Sequence, residues 1–291
     1  MIFEGSAVAL VTPFDKSGNI DYFSLKNLIE FQIANGTKAI VILGTTGESP
    51  TITNEERTEI IKFCVCQVSK RITLVVGTGS NSTVTTIKQT KEAEELGADA
   101  VLIASPYYNK PNQQGLYFHY KKIAQNTDIP IILYNIPART GVNIEPKTVL
   151  KLSKIKNIVG IKESSGNIKQ ISELIQILTP QFAVYSGDDH LTLPVLALGG
   201  KGVISVTANC YPELVSLLCD YAKSGDFFNA RRIHNRLHKI NHALFLDTNP
   251  TPVKFFMNLI GFKVGSPRPP LFEPKKTIKK QLLKVKFEYE N

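Results

Sequence analysis

The chain has 291 residues, 43% of them hydrophobic, and a formal net charge of +9. That length suits one large domain or two of ordinary size, with enough apolar material for a substantial core. No run approaches the roughly 18 uncharged apolar residues of a membrane span, and no basic region precedes an apolar stretch at the start. Neither a signal peptide nor a membrane anchor is expected, and the expected location is the cytoplasm.

In chain order, eight short apolar segments rich in β-branched residues recur, at 7–11, 39–43, 74–76, 100–104, 131–134, 158–161, 183–185 and 203–206. Their starts are spaced by roughly 20 to 35 residues, the distance one βαβ unit requires. Helix-like stretches lie between them. Asp21 precedes 22–34 as a candidate cap, and Thr53 with Glu56 forms a capping-box pattern opening a helix over 54–70. Gly36, Gly97 and Gly199 fall where helices should stop.

Nearly continuous apolar strands alternating with helices predict a parallel sheet covered on both faces. A doubly wound sheet competes, but no Gly-x-Gly-x-x-Gly turn follows the first strand, and eight strands favour closure. The expected architecture is a (β/α)8 TIM barrel over 1–224 with a C-terminal helical region over 225–291. Two or three helices are expected there, interrupted by Ser266-Pro267-Arg268-Pro269-Pro270. The lysine run at 275, 276, 279, 280, 284 and 286 is interleaved with Ile278, Leu282, Leu283, Val285 and Phe287. Those apolar spacings largely repeat one helical face, so the run is expected to be a solvated helix surface, not a nucleic-acid site. Of the four cysteines, Cys64 and Cys66 would project on different faces of a helix, and the set is expected to be reduced core thiols.

In a barrel, chemistry gathers where strands end at their C-terminal side. Those ends are polar here: Gly44-Thr45-Thr46-Gly47-Glu48-Ser49, Gly77-Thr78-Gly79, Ser105-Pro106-Tyr107-Tyr108-Asn109, Tyr134-Asn135-Ile136-Pro137 with Arg139, Lys162-Glu163-Ser164-Ser165-Gly166, and Gly187-Asp188-Asp189. Alternation puts Lys162 on the face of Gly160 and Ile158. If that face points inward, desolvation favours the neutral amine that attacks a ketone. The alternative is a surface lysine or one paired with Glu163. Tyr134 shares a face with Ile132 and is either a proton-transfer phenol or a barrel filler. A hydroxyl such as Thr46 could relay its proton. The loop at 44–49 exposes backbone N–H groups suited to a carboxylate, and Arg139 could grip a second one. Asp188 and Asp189 could be metal ligands only with partners that the sequence does not supply nearby. His234, His238 and His242 have a zinc-compatible spacing but lie in the helical tail without an evident carboxylate. Neither a metal nor a cofactor is expected.

Taken together, GTTGES (44–49), SPYYNKP (105–111), YNIPARTG (134–141), GIKESSGN (160–167) and YSGDD (185–189) resemble the dihydrodipicolinate synthase family, within the pyruvate-dependent Schiff-base aldolases. The resemblance spans essentially the whole chain. It implies that Lys162 forms the Schiff base with pyruvate, that Tyr134 transfers protons, and that Thr46 links it to a Tyr108 reaching in from a neighbouring subunit. It further implies that Thr45 and Thr46 hold the pyruvate carboxylate, Gly187 and Ile204 line that pocket, and Arg139 receives the carboxylate of aspartate semialdehyde. A homotetramer built as a dimer of dimers is implied as well. Thr45-Thr46 and Arg139 favour a synthase over a sialic-acid lyase of the same superfamily, and the intact residue set speaks against a barrel kept only for binding. Lysine-inhibited members place histidines where Asn54 and Arg57 stand and an acid where Thr85 stands. Ser49, Asn81 and Tyr107 still match that effector pattern, but Pro50 replaces a small residue. Weak or absent lysine feedback is therefore expected.

Overall fold

The computed structural model describes residues 2–290. Eight parallel strands close into a barrel in sequence order: β1 (Gly5–Ala9), β2 (Ala39–Ile42), β3 (Thr73–Gly77), β4 (Ala100–Ala104), β5 (Ile131–Asn135), β6 (Ile158–Glu163), β7 (Ala183–Ser186) and β8 (Gly202–Ser205), with β8 returning to β1. The barrel helices are α1 (Tyr22–Ala34), α2 (Asn54–Val68), α3 (Thr83–Glu95), α4 (Gln113–Ala124), α5 (Pro137–Thr140), α6 (Pro146–Leu152), α7 (Ile168–Ile177), α8 (Thr192–Ala197) and α9 (Pro212–Lys223). Beyond them come α10 (Phe227–Ala243), α11 (Thr251–Leu259) and α12 (Lys276–Glu290). The expected (β/α)8 barrel with a C-terminal helical extension is the observed fold.

Local chemistry accounts for the boundaries. The Asp21 carboxylate accepts from the Ser24 amide, and Thr53 and Glu56 form the reciprocal capping box that opens α2. That helix stops at Val68, two residues before the expected end, because Ser69 and Lys70 turn left-handed. The first strand lies earlier than expected, over Gly5–Ala9. Past it, the Val11 amide donates to the Asn209 side chain at 3.1 Å instead of to a neighbouring strand.

Pleating divides the apolar side chains into two cores. One fills the barrel and includes Ala7, Val41, Leu102, Ile132, Tyr134, Tyr185 and Ile204. The other packs the strands' outer face, including Val8, Ile40, Ile103, Leu133 and Ile161, against the helices. Phe3 stacks on Tyr185 at 4.3 Å and its carbonyl accepts the Tyr185 hydroxyl at 2.7 Å, closing the N-terminal end of the barrel. Strand β6 departs from simple alternation. The register slips between Ile131 and Ile132, so Ile158 joins the outer core while Val159 packs against the inner one. The expectation that Ile158 shares the face of Lys162 is corrected by this bulge; Gly160, paired with Ile132, does share it.

In α12, Leu282 is buried and Ile278 and Val285 pack on the core, but Leu283 and Phe287 are 49% and 68% exposed, so two of the five apolar residues lie off the expected face. Lys279 and Lys284 pair with Glu273 and Glu288. Cys64, Cys210 and Cys219 are buried thiols, whereas Cys66 is exposed and not part of the core. Among the described residues no helix is long and apolar enough to cross a membrane.

Candidate active site

The strands carry one half of the site. Parallel pairing of β5 with β6 sets Tyr134 directly beside Lys162, and β7 sets Tyr185 on its other side. Lys162 is 5% exposed, with Nζ 4.4 Å from the centroid of the Tyr134 ring. The next side chain, Glu163, faces away. Its carboxylate accepts from Asn135 Nδ2 at 3.0 and 3.1 Å, from the Ser165 amide at 2.7 Å and from Gln170 Nε2 at 3.2 Å. Burial raises its pKa above the usual carboxylate range, against the pull of those donors. The pairing of Lys162 with Glu163 that the sequence left open is therefore not the one that forms. Gly187 is required beside them: a Cβ there would come within 2.9 Å of Lys162 Cε and collide with Ser164 Oγ. Ile204 is fully buried in the same barrel-filling core as Tyr134. Asp188 lies close enough for Lys162 to lower its pKa, but burial outweighs this and raises it.

The other half hangs on loops. After β2 the chain turns through left-handed residues Leu43 and Glu48, with φ of 55° and 58°. Between them Gly47 runs so near the backbone that a Cβ would lie 3.0 Å from the Leu43 nitrogen, and Thr12 Oγ1 donates to its carbonyl at 2.7 Å. Thr46 is 2% exposed, and its Oγ1 accepts from Asn249 Nδ2 at 2.9 Å. Glu48 is paired with Lys254 of α11 at 2.8 Å, both side chains being essentially inaccessible. Lys254 Nζ also donates to the carbonyls of Thr12 and Ser266, and the Arg268 amide donates to the second Glu48 oxygen at 2.8 Å. Burial lowers the Lys254 pKa to about 8 although Glu48 opposes the shift. Arg139, exposed in the last turn of α5, donates from Nη2 to the Asn249 carbonyl at 2.9 Å.

These parts border a cavity of about 550 Å³ whose wall includes Thr45, Tyr134, Arg139, Asn249 and Tyr107, and which extends to Ser49 and Arg57. Lys162, Thr46 and Ile204 are buried, whereas Gly187 is half-buried. Tyr108 stands apart. It is 89% exposed with a φ of 71° and does not line the cavity of its own chain. Within the chain, the hydrogen bond of Thr46 runs to Asn249 and not to Tyr134 or Tyr108.

A buried amine beside a phenol, hydroxyls on a tight loop and a guanidinium at the mouth can form and protonate an imine while binding two carboxylates. The Asp189 carboxylate is already committed to Ser205 Oγ and to the amides of Val206 and Thr207, so it is not half of a metal pair. Among the described residues no three histidine, cysteine or acidic side chains are grouped to hold a metal, the α10 histidines included. Sequence reasoning missed Asn249, Lys254 and Arg268. The Asn-Pro step at 249–250 announces only a turn before α11, and nothing local says what that turn touches.

The chain matches the profile of the "Dihydrodipicolinate synthetase family" over residues 2–286. It is 50% identical over 288 residues to a 4-hydroxy-tetrahydrodipicolinate synthase of Syntrophus aciditrophicus, covering 99% of each chain. Crystal structures of dihydrodipicolinate synthases superpose closely. That from Aquifex aeolicus has a TM-score of 0.97 at 49% identity, covering 99% of this chain and 98% of its own. That from Thermotoga maritima has a TM-score of 0.98 at 42% identity, with 100% and 99% covered.

Proposed function

The chain belongs to the dihydrodipicolinate synthetase family and is a lyase condensing pyruvate with L-aspartate 4-semialdehyde to 4-hydroxy-tetrahydrodipicolinate, on the route to diaminopimelate and lysine; from that premise we propose that Lys162 is its Schiff-base nucleophile. One observation carries the assignment: Lys162 and Tyr134 are paired across β5 and β6, both buried, with Nζ 4.4 Å from the ring centroid.

The neutral amine adds to the C2 carbonyl of pyruvate, and the carbinolamine loses its hydroxyl as water once a proton is supplied. Tyr134 supplies that proton, then takes one from C3 to give the enamine. The enamine carbon attacks the aldehyde. The amino group of the second substrate then displaces Lys162 by transimination, closing the ring and freeing the lysine, so one water leaves overall. The iminium is the electron sink, and no cofactor is called for. Thr45 and Thr46 hold the pyruvate carboxylate in a pocket closed by Gly187 and Ile204, and Arg139 holds the carboxylate of the semialdehyde. Thr46 links Tyr134 to a Tyr108 from the partner subunit. The left-handed, exposed Tyr108 supports that role, because a side chain projected out of its own chain is one a neighbour can use. The working assembly is a homotetramer in the cytoplasm, with the barrel of 1–224 as catalytic unit and 225–291 as a helical region that braces it.

Lysine feedback is weak or absent. Arg57 is 5% exposed, donates to the Gly77 carbonyl at 2.8 Å and borders the same cavity as Ser49 and Tyr107, so the ammonium of a bound lysine would meet a buried cation. Titrating turnover with L-lysine checks this; strong inhibition at physiological concentrations overturns it. The nucleophile is tested by borohydride trapping with pyruvate followed by peptide mass spectrometry. The expected adduct is on Lys162, and modification elsewhere, or none, refutes the mechanism.

A further inference from the structure

We infer that Asn249 is a positioning residue that gives the Thr46 hydroxyl its direction as a proton carrier. The inference rests on the relay reading of Thr46 given above. A threonine hydroxyl has three hydrogen-bonding positions, one donor and two acceptors. The Asn249 side-chain amide, which can only donate from nitrogen, fills one acceptor position at 2.9 Å inside a buried environment. What remains on Thr46 is one donor and one acceptor position. A group left with one of each is a one-in, one-out wire: it takes a proton from one phenol while passing its own to the other. Without the amide, Thr46 has a spare acceptor position, and water or its own rotation can leave the proton pointing away from either phenol.

Two observations mark this as more than packing. Asn249 Oδ1 is buried without a hydrogen-bond partner among the described residues, so the side chain's hydrogen bond to Thr46 is the one that orients it. Second, the turn that carries Asn249 is stitched to the same loop again five residues later. Lys254 grips Glu48, two residues past Thr46, in an inaccessible ion pair. The Asn249 carbonyl meanwhile accepts from Arg139. The turn thus sets the relay hydroxyl with its side chain and the arginine with its backbone. Only the first of these is lost on substitution of the side chain.

That separation makes the test sharp. Turnover is expressed per Lys162 trapped by pyruvate and borohydride, so loss of folded enzyme does not register. Asn249→Ala vacates one acceptor position and is expected to lower kcat by about tenfold. Asn249→Asp preserves shape but presents only acceptors, drawing the single Thr46 proton to itself; a loss of about 10²-fold is expected, the low end of what a positioned acid–base group contributes. Its pH profile should also shift, while KM for aspartate semialdehyde changes little because the carbonyl that meets Arg139 remains. Asn249→Gln keeps the donor and should recover kcat to within about threefold of the parent. In a Thr46→Val background, Asn249→Asp should have almost no further effect. An Asn249→Asp enzyme as active as Asn249→Ala, or a full additional loss in the Thr46→Val background, overturns the inference. A Thr46→Val enzyme with parental kcat would instead sink the relay reading itself.

Discussion

The two halves of the site are held in place by different forces. Tyr134 and Lys162 stand on the neighbouring strands β5 and β6, where parallel pairing fixes their relative positions, and Ile204 on β8 belongs to the apolar filling of the barrel. Thr46 and Glu48 stand on a loop with left-handed turns, braced by residues some two hundred positions away through Asn249 and Lys254. A ladder of backbone hydrogen bonds does not depend on which side chain it carries. A buried charge pair depends on both partners, and removing either leaves an uncompensated charge. Substitution in the strand half should therefore alter chemistry with the fold intact, whereas substitution in the loop's brace should alter fold and chemistry together.

The largest effect that this contrast predicts is at the nucleophile. Lys162→Met should abolish the borohydride adduct and cost at least ~10³-fold in turnover, the scale of losing a covalent nucleophile, while its melting temperature stays at or above that of the parent. A drop of many degrees would break the contrast. Tyr134→Phe should keep the fold and the adduct but form it slowly, with kcat down by roughly 10²- to 10⁴-fold. Full adduct formation at the parental rate would remove Tyr134 from the dehydration step.

How far the sequence revealed these halves follows the same division. Strand identity and order were legible because buried parallel strands are runs of β-branched residues at βαβ spacing, as at 39–42 and 100–104. Tyr134 and Lys162 were legible too, each at a polar strand end, whereas Ile204 came only through the family resemblance. Alternation counted from Gly160 puts Lys162 on its true face, but counted from Ile158 it does not, because Ile158 lies before the register slip and faces the other way. The brace was not legible. Asn249, Lys254 and Arg268 meet the loop through contacts spanning 203 to 220 residues, and no local periodicity encodes a partner at that distance. Tyr108 was found through its motif, while its exposure and left-handed backbone are properties of the folded loop alone.

In the brace, Lys254→Met should cost about 3–5 kcal/mol of stability, since it strands Glu48 with no cation in an inaccessible site. Glu48→Gln strands Lys254 in the same way and should cost a similar amount. The double substitution should be less damaging than the sum of the two, because neither charge is then left alone. Denaturant unfolding of the four proteins checks this, and strict additivity would mean that the pair is not coupled.

The smallest effect is one of pH, and it tests the same pair without removing it. Burial holds the Lys254 pKa at about 8 in the folded chain, against 10.5 for an ordinary lysine. Below about pH 8 both folded and unfolded chains carry the proton, so this residue adds no slope to stability. Between about 8 and 10.5 the unfolded chain keeps a proton that the folded chain has released, and the contribution of Lys254 to stability rises with pH. The strand half offers no such buried ion pair, so the signature belongs to the brace. Lys254→Met should therefore show a stability curve that falls more steeply with alkalinity than the parent's over that window, with no difference in slope from pH 6 to 7. Parallel curves through pH 8 to 10 would mean that the lysine keeps its proton in the folded state. The brace would then be a permanently charged pair.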